Sequence, residues 1–228
     1  MPRFLASLCV AALVVLNAPG LRAQDAWYPL KAEDGSEIAN HRVPVELSSE
    51  IEKLPGIVIL GNPHGDVTLT EFYDLNCPFC RQAAADLGDI LHADKDLKLV
   101  LVPFPVLGIP SILSGRVELA VARLGSAQQF YRFHRTIYAG RGVNDDRRAL
   151  AVAQELGFDR AALTKAANDD AITETMKAHV RLGNALGLAA TPGFVINGVA
   201  ILGHPGKKAL ADIIRSVRQC DKVVCEPN

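Results

Sequence analysis

The chain has 228 residues, with 24 Lys and Arg against 25 Asp and Glu, for a formal net charge of −1. That balance excludes the strongly basic footprint of a nucleic-acid binder or of a protein held on an anionic membrane surface. At 49% apolar residues, the chain is long and apolar enough to bury one core without staples, as one domain or one domain with a large insertion.

The first 23 residues read as a secretory signal peptide. Arg3 supplies the positive start, Phe4 to Leu16 the apolar stretch, and Leu21-Arg22-Ala23 a cleavage site after Ala23. A retained anchor is the alternative. The apolar stretch is shorter than the ~20 residues that span a bilayer, and Asn17, Pro19 and Gly20 end it, so no stable membrane insertion is expected. Cys9 leaves with the signal. Cys77, Cys80, Cys220 and Cys225 stay, an even set that suits an oxidising compartment.

Residues 24–55 form an N-terminal extension. Asp34-Gly35 marks a hairpin turn between short mixed runs, and Ser48 is placed to cap a brief helix through Leu54, stopped by Pro55-Gly56. Ile57 to Leu60 reads as a strand. After the turn cluster 61–66, Val67 to Tyr73 reads as a second strand, apolar enough to be covered on both faces.

This strand leads into Cys77-Pro78-Phe79-Cys80, and a helical pattern follows with Ala83, Leu87, Ile90 and Leu91 on one face. Cys77 therefore falls at the N-terminus of a helix, and Pro78 suits the first helical position. Free N–H groups and the positive end of the helix stabilise a thiolate there. One turn later, Cys80 can attack a mixed disulfide formed by Cys77, which is the minimum equipment for thiol–disulfide exchange. A Cys-x-x-Cys pair also serves zinc sites and structural disulfides. Here no His or Cys pair lies nearby in sequence to complete four ligands, so no metal is expected.

Leu97 to Val102 reads as a third strand, parallel to the second through a right-handed crossover. A proline-rich break at 103–110 opens about eighty helical residues. Their phasing shows at Val117, Ala120 and Val121, at Phe130, Phe133 and Ile137, at Leu150 and Ala153, and at Ile172, Met176 and His179. Asp159 is a helix cap, and His179, on an apolar face, reads as a satisfied core residue. Strand character returns at Phe194-Val195-Ile196, with Asn197-Gly198 as a mirror-image hairpin turn and Val199 to Leu202 as the returning strand. A last helix runs from Lys207 to Gln219. Cys220 and Cys225 follow it and read as a structural disulfide worth about 2 kcal/mol.

This order, with Glu71-Phe72-Tyr73 leading into Cys-Pro-Phe-Cys and Thr191-Pro192 just before the hairpin, resembles the DsbA-like family of exported thiol–disulfide oxidoreductases. The resemblance covers about residues 56–219. It implies an α/β, thioredoxin-like fold with an inserted all-helical domain; with the signal peptide at 1–23 and the extension at 24–55, the chain then divides into a thioredoxin-like domain at 56–108 and 187–219, a helical insertion at 109–186 and a tail at 220–228. It implies that Cys77 is the nucleophile and Cys80 the resolving thiol. It implies that Pro192 follows a cis peptide bond and faces the pair, and that Glu71 is a buried acid beneath them.

The physics admits each of these. A cis X-Pro bond costs only about 0.5–1 kcal/mol, and would present Thr191 as an edge for substrate peptide beside Pro78 and Phe79. A buried, unpartnered Glu71 would have a raised pKa and could take a proton from Cys80. The alternatives are a trans proline opening a strand and a glutamate reaching solvent at the sheet margin. The dipeptide is Pro-Phe where the family founder has Pro-His, and the residue before the proline is Thr, which reducing and isomerising relatives favour. The expectation is thus a periplasmic oxidoreductase using no organic cofactor. It exchanges disulfides with cysteine-containing secreted proteins and is reset by a membrane redox partner. A reductase or isomerase of the same fold, or a metal carrier using the cysteine pair, is the alternative.

Overall fold

A computed structural model describes residues 28–226; the expected signal peptide and its cleavage site lie outside the described residues. The elements run β1 (Asn40–Arg42), α1 (Val45–Ile51), β2 (Val58–Gly61), β3 (Val67–Tyr73), α2 (Pro78–Ala93) and β4 (Leu97–Pro103). Then come α3 (Ile109–Leu124), α4 (Ala127–Ala139), α5 (Asp146–Glu155), α6 (Arg160–Ala167) and α7 (Asp170–Ala185). β5 (Gly193–Ile196), β6 (Val199–Leu202) and α8 (Lys207–Cys220) complete the order.

The six strands form one sheet in the order β1-β6-β5-β3-β4-β2. Only β3 and β4 are parallel, with Val67 opposite Leu97 and Tyr73 opposite Pro103. β3 lies inside the sheet, with β4 on one side and β5, antiparallel, on the other. Side chains alternate across a strand. Leu69 and Tyr73 therefore enter one core with α2, α8 and residues of α3–α6, while Phe72 enters a second with Val100, Val102, Phe104 and residues of α1 and α7. Five helices thus stand between β4 and β5, as the thioredoxin-like fold with a helical insertion requires.

Local chemistry explains most boundaries. Asn197 and Gly198 both have positive φ, 46° and 69°, as the mirror-image turn between β5 and β6 demands. Asp159 caps α6 by accepting from the Ala162 amide, and Ser126 and Gln129 close a capping box on α4. His179 is fully buried, with its ring nitrogens 3.0 Å from the Pro103 carbonyl and 2.7 Å from that of Pro55.

The extension differs from its expected form. The helix starts at Val45 rather than after Ser48 and ends at Ile51. Pro44 holds the N-cap position, and its carbonyl accepts the Leu47 and Ser48 amides, so Ser48 lies inside the helix. The hairpin around Asp34-Gly35 shrinks to a single bridge between Lys31 and Glu37. The reason is a better partner: Asn40–Arg42 pairs antiparallel with β6 and extends the sheet, while the Asn40 side chain bonds the backbone of Tyr28 and Ile38.

Candidate active site

β3 runs into Asp74-Leu75-Asn76 and delivers Cys77 to the N-cap of α2. Cys77 keeps extended backbone angles (φ −80°, ψ 122°), and Pro78 takes the first helical position, where its missing N–H removes nothing from the helix. The Cys77 sulfur then accepts from the Cys80 amide at 3.4 Å. On its other side it lies 3.0 Å from the Thr191 carbonyl, to which it donates as a thiol. The Thr191-Pro192 bond is cis. Sequence-distant residues thus meet at one sulfur: the loop before β5 closes over the N-terminus of α2.

Both thiols are free, yet their surroundings treat them oppositely. The Cys77 thiol is brought down to about 6 by the Cys80 hydrogen bond first, against the cost of burial, and then by Thr191 and the Cys80 and Phe79 amides. Burial, by contrast, pushes the Cys80 thiol far up, helped by the hydrogen bond it gives Cys77 and by the negative charge of Glu71. At neutral pH the pair therefore holds one proton, and it sits on Cys80.

Glu71 lies beneath them on β3, at 1% exposure, and neither carboxyl oxygen has a hydrogen-bond partner. It is not at the sheet margin; β4 and β5 flank it, opposite Leu101 and Phe194. Burial raises its pKa well above 4.5, and the charges of Cys77 and Glu118 raise it further. Phe79 points outward, 57% exposed, so its main effect on the thiolate comes through its amide. Cys220 and Cys225 are bonded to each other. They lie at the opposite end of β5 from Thr191, where Asn197 donates to the Asp221 carbonyl at 2.7 Å.

Several residues that hold this site carry no sequence motif. Asp74 is buried and accepts from the Val106 and Leu107 amides (2.8 and 2.9 Å), the Ser111 hydroxyl (2.7 Å) and the Asn76 amide. Asn76 and Asn144 exchange backbone and side-chain bonds, and Asn144 also donates to the Leu75 carbonyl. The Tyr138 hydroxyl donates to the Asp74 carbonyl at 2.9 Å, and Arg81 donates to the Tyr138 and Gly140 carbonyls. The cysteine loop is therefore tied to the helical insertion at three points. The available signal is two polar residues, Asp74 and Asn76, among Phe72, Tyr73, Leu75 and Cys77.

Among the described residues no three or more His, Cys, Asp or Glu side chains gather as a metal site would need.

A family model described as thioredoxin matches residues 53–216. Among solved structures, a thioredoxin-like oxidoreductase from Silicibacter pomeroyi superposes with a TM-score of 0.70 at 30% identity, covering 75% of this chain and 98% of that one. The thiol-disulfide exchange protein alpha-DsbA2 from Wolbachia pipientis gives 0.69 at 20% identity, over 76% of this chain and 93% of that one. A periplasmic thioredoxin-like protein from Salmonella enterica serovar Typhimurium gives 0.68 at 24%, over 77% and 97%. The last two likenesses speak to the fold. No curated protein matches the sequence.

Proposed function

The chain belongs to the thioredoxin family and is similar to a thioredoxin-like oxidoreductase, and we propose that it is a DsbA-like thiol–disulfide oxidoreductase, an exported, periplasmic enzyme that works on cysteine-containing secreted proteins. The observation that carries this reading is the split between the two thiols at the end of α2: Cys77 brought down to about 6, Cys80 pushed far up. In the reducing direction the Cys77 thiolate attacks one sulfur of a substrate disulfide, and the other sulfur leaves as a thiolate. Cys80 then gives its proton to the Glu71 carboxylate and attacks the Cys77 sulfur. The second substrate thiolate leaves, the Cys77–Cys80 disulfide forms, and the proton on Glu71 passes to solvent or product. The same steps run backwards oxidise a substrate dithiol.

The surroundings fit a polypeptide substrate. The Val106 and Leu107 side chains are exposed although Asp74 holds their amides, and with Phe79 and Ile109 they form an apolar rim around the cysteine loop. Such a rim suits unfolded chain segments better than a small polar thiol. The Thr191 backbone is the edge on which a substrate strand would align. A membrane redox partner would reset the pair. Among the described residues no helix is long and apolar enough to cross a membrane.

Trapping tests this directly. Cys80→Ser keeps the nucleophile and lacks the resolving thiol, so it should accumulate mixed disulfides with exported proteins that reductant strips on a gel. Cys77→Ser should trap none. Equal trapping by the two variants would contradict the assignment.

A further inference from the structure

Behind Glu71 the helical insertion places a second buried acid. Glu118 on α3 and His134 on α4 are 0% and 2% exposed, with His134 Nδ1 3.1 Å from Glu118 Oε1. Glu118 Oε2 and the buried Tyr73 hydroxyl face each other within reach of a hydrogen bond, without the geometry of a well-formed one. The His134 ring stands edge-on to Tyr73 (centroids 4.7 Å apart) and to Tyr138 (4.9 Å), and stacks on Phe130 (5.9 Å). Tyr73 is two residues beyond Glu71, so both project from the same face of β3, toward the core that holds Cys80. The pair is thus walled by aromatic rings, and the groups that face it are Glu71 and Tyr73 from β3, Cys80 from α2 and Tyr138 from α4.

A carboxyl–imidazole pair sealed in an apolar core is seldom a net stabiliser; apolar residues of similar volume do as well or better. Packing therefore gives no reason for a glutamate at 118. Electrostatics does. The Glu118 charge acts on Glu71, on Tyr73 and on Tyr138. A like charge in a shared low-dielectric interior resists ionisation of its neighbour.

We propose that Glu118, paired with His134, is a positioning residue of the cysteine site: its charge decides when Glu71 is free to take the Cys80 proton. This deepens the oxidoreductase reading and rests on it. With His134 neutral the pair carries one negative charge and Glu71 tends to keep its proton. With His134 protonated the pair is neutral, and Glu71 ionises more readily. The insertion thereby adjusts a proton transfer it does not touch.

The test follows the Glu71 carboxyl by infrared difference spectroscopy of the reduced full chain, with Glu71→Gln to assign the band. Glu118→Gln removes the like charge and should move the Glu71 titration to lower pH, burial and the Cys77 charge still holding it above the ordinary carboxylate range. The Glu118→Leu/His134→Phe double variant, which fills the same space with apolar groups and so protects the fold, should move it in the same direction. The pH profile of the Cys80 resolving step should move with it, while the Cys77 titration stays near its own value. An unmoved Glu71 titration in a folded variant overturns the proposal, whichever variant folds. Because the carboxyl is observed without turnover, this outcome is separate from failure of the oxidoreductase reading. That failure would show as a wild-type protein that does not exchange with glutathione disulfide at all.

Discussion

Two neighbouring regions of this molecule handle charge in opposite ways. At the tip of α2, the atoms that carry charge have partners: the Cys77 sulfur lies against the Cys80 amide and the Thr191 carbonyl, and Asp74 collects four donors. One layer below, Glu71 has no partner on either oxygen, and Glu118 has one on a single oxygen. Native interiors rarely leave such groups unsatisfied. The contrast shows a division of labour, in which the tip stabilises a negative charge at Cys77 and the interior resists one at Glu71. A thiolate is held at Cys77 and a proton at Cys80, from two residues of the same type three positions apart.

The largest effect expected is on the tip. Cys77→Ser should reduce disulfide exchange to the uncatalysed background while leaving the fold intact, as measured by insulin reduction and by circular dichroism. Retained turnover would break the comparison at once, because it would mean that Cys80, buried and protonated, can start the reaction.

The interior makes the next prediction. The Glu71 carboxyl titrates well above 4.5 in the folded chain, so the folded state keeps a proton that the unfolded state has released. This stabilising contribution is fully present below about pH 4.5. It is lost as pH rises toward the folded value, at up to about 1.4 kcal/mol per pH unit. Glu71→Gln should remove that slope, leaving a variant more stable than the wild type at neutral pH and similar to it near pH 4. Denaturant midpoints against pH would show it. A wild-type stability that rises between pH 5 and 7 more steeply than the variant's would mean that Glu71 is satisfied when charged.

Much of this contrast was legible in the sequence only on one side. The tip is local: strand, Cys-Pro-Phe-Cys and helix are contiguous, so period, proline position and spacing place Cys77 at the N-terminus of α2. The Asn197-Gly198 turn and the Asp159 cap are legible for the same reason, since each needs only neighbours. The interior is assembled from a distance. Glu118 and His134 lie on different helices, and nothing in either helical pattern marks them; Glu118 reads as one more charge on an amphipathic face. Asn144 and Ser111 likewise acquire meaning only against Asp74 and Asn76. β1 carries no sequence signal, because three residues without alternation become a strand only when β6 offers its edge.

A third region should leave the comparison untouched. The Cys220–Cys225 disulfide closes a very short loop at the far end of β5. Replacing both cysteines with serine should cost about 2 kcal/mol in chemical denaturation. It should change neither the exchange rate nor the Cys77 titration. A changed exchange rate would make this pair part of the redox chemistry.

The smallest effect concerns Phe79. Its side chain faces solvent, so an imidazole placed there would act on the thiolate through water. Phe79→His should lower the Cys77 pKa slightly and raise the reduction potential, by about 30 mV for each ~1.4 kcal/mol gained. Equilibration with glutathione reads the shift, and no shift would mean that the backbone alone sets the poise.

The account rests on one proton being held between two thiols, with the charge on Cys77. Thiolate absorbance of the reduced protein against pH tests that most directly. The account predicts a single thiolate appearing with a midpoint near 6. It should be absent in Cys77→Ser and shifted upward in Cys80→Ala, which lacks the thiol whose hydrogen bond contributes most. Two thiolates appearing together near the ~8.5 of an ordinary cysteine would contradict it.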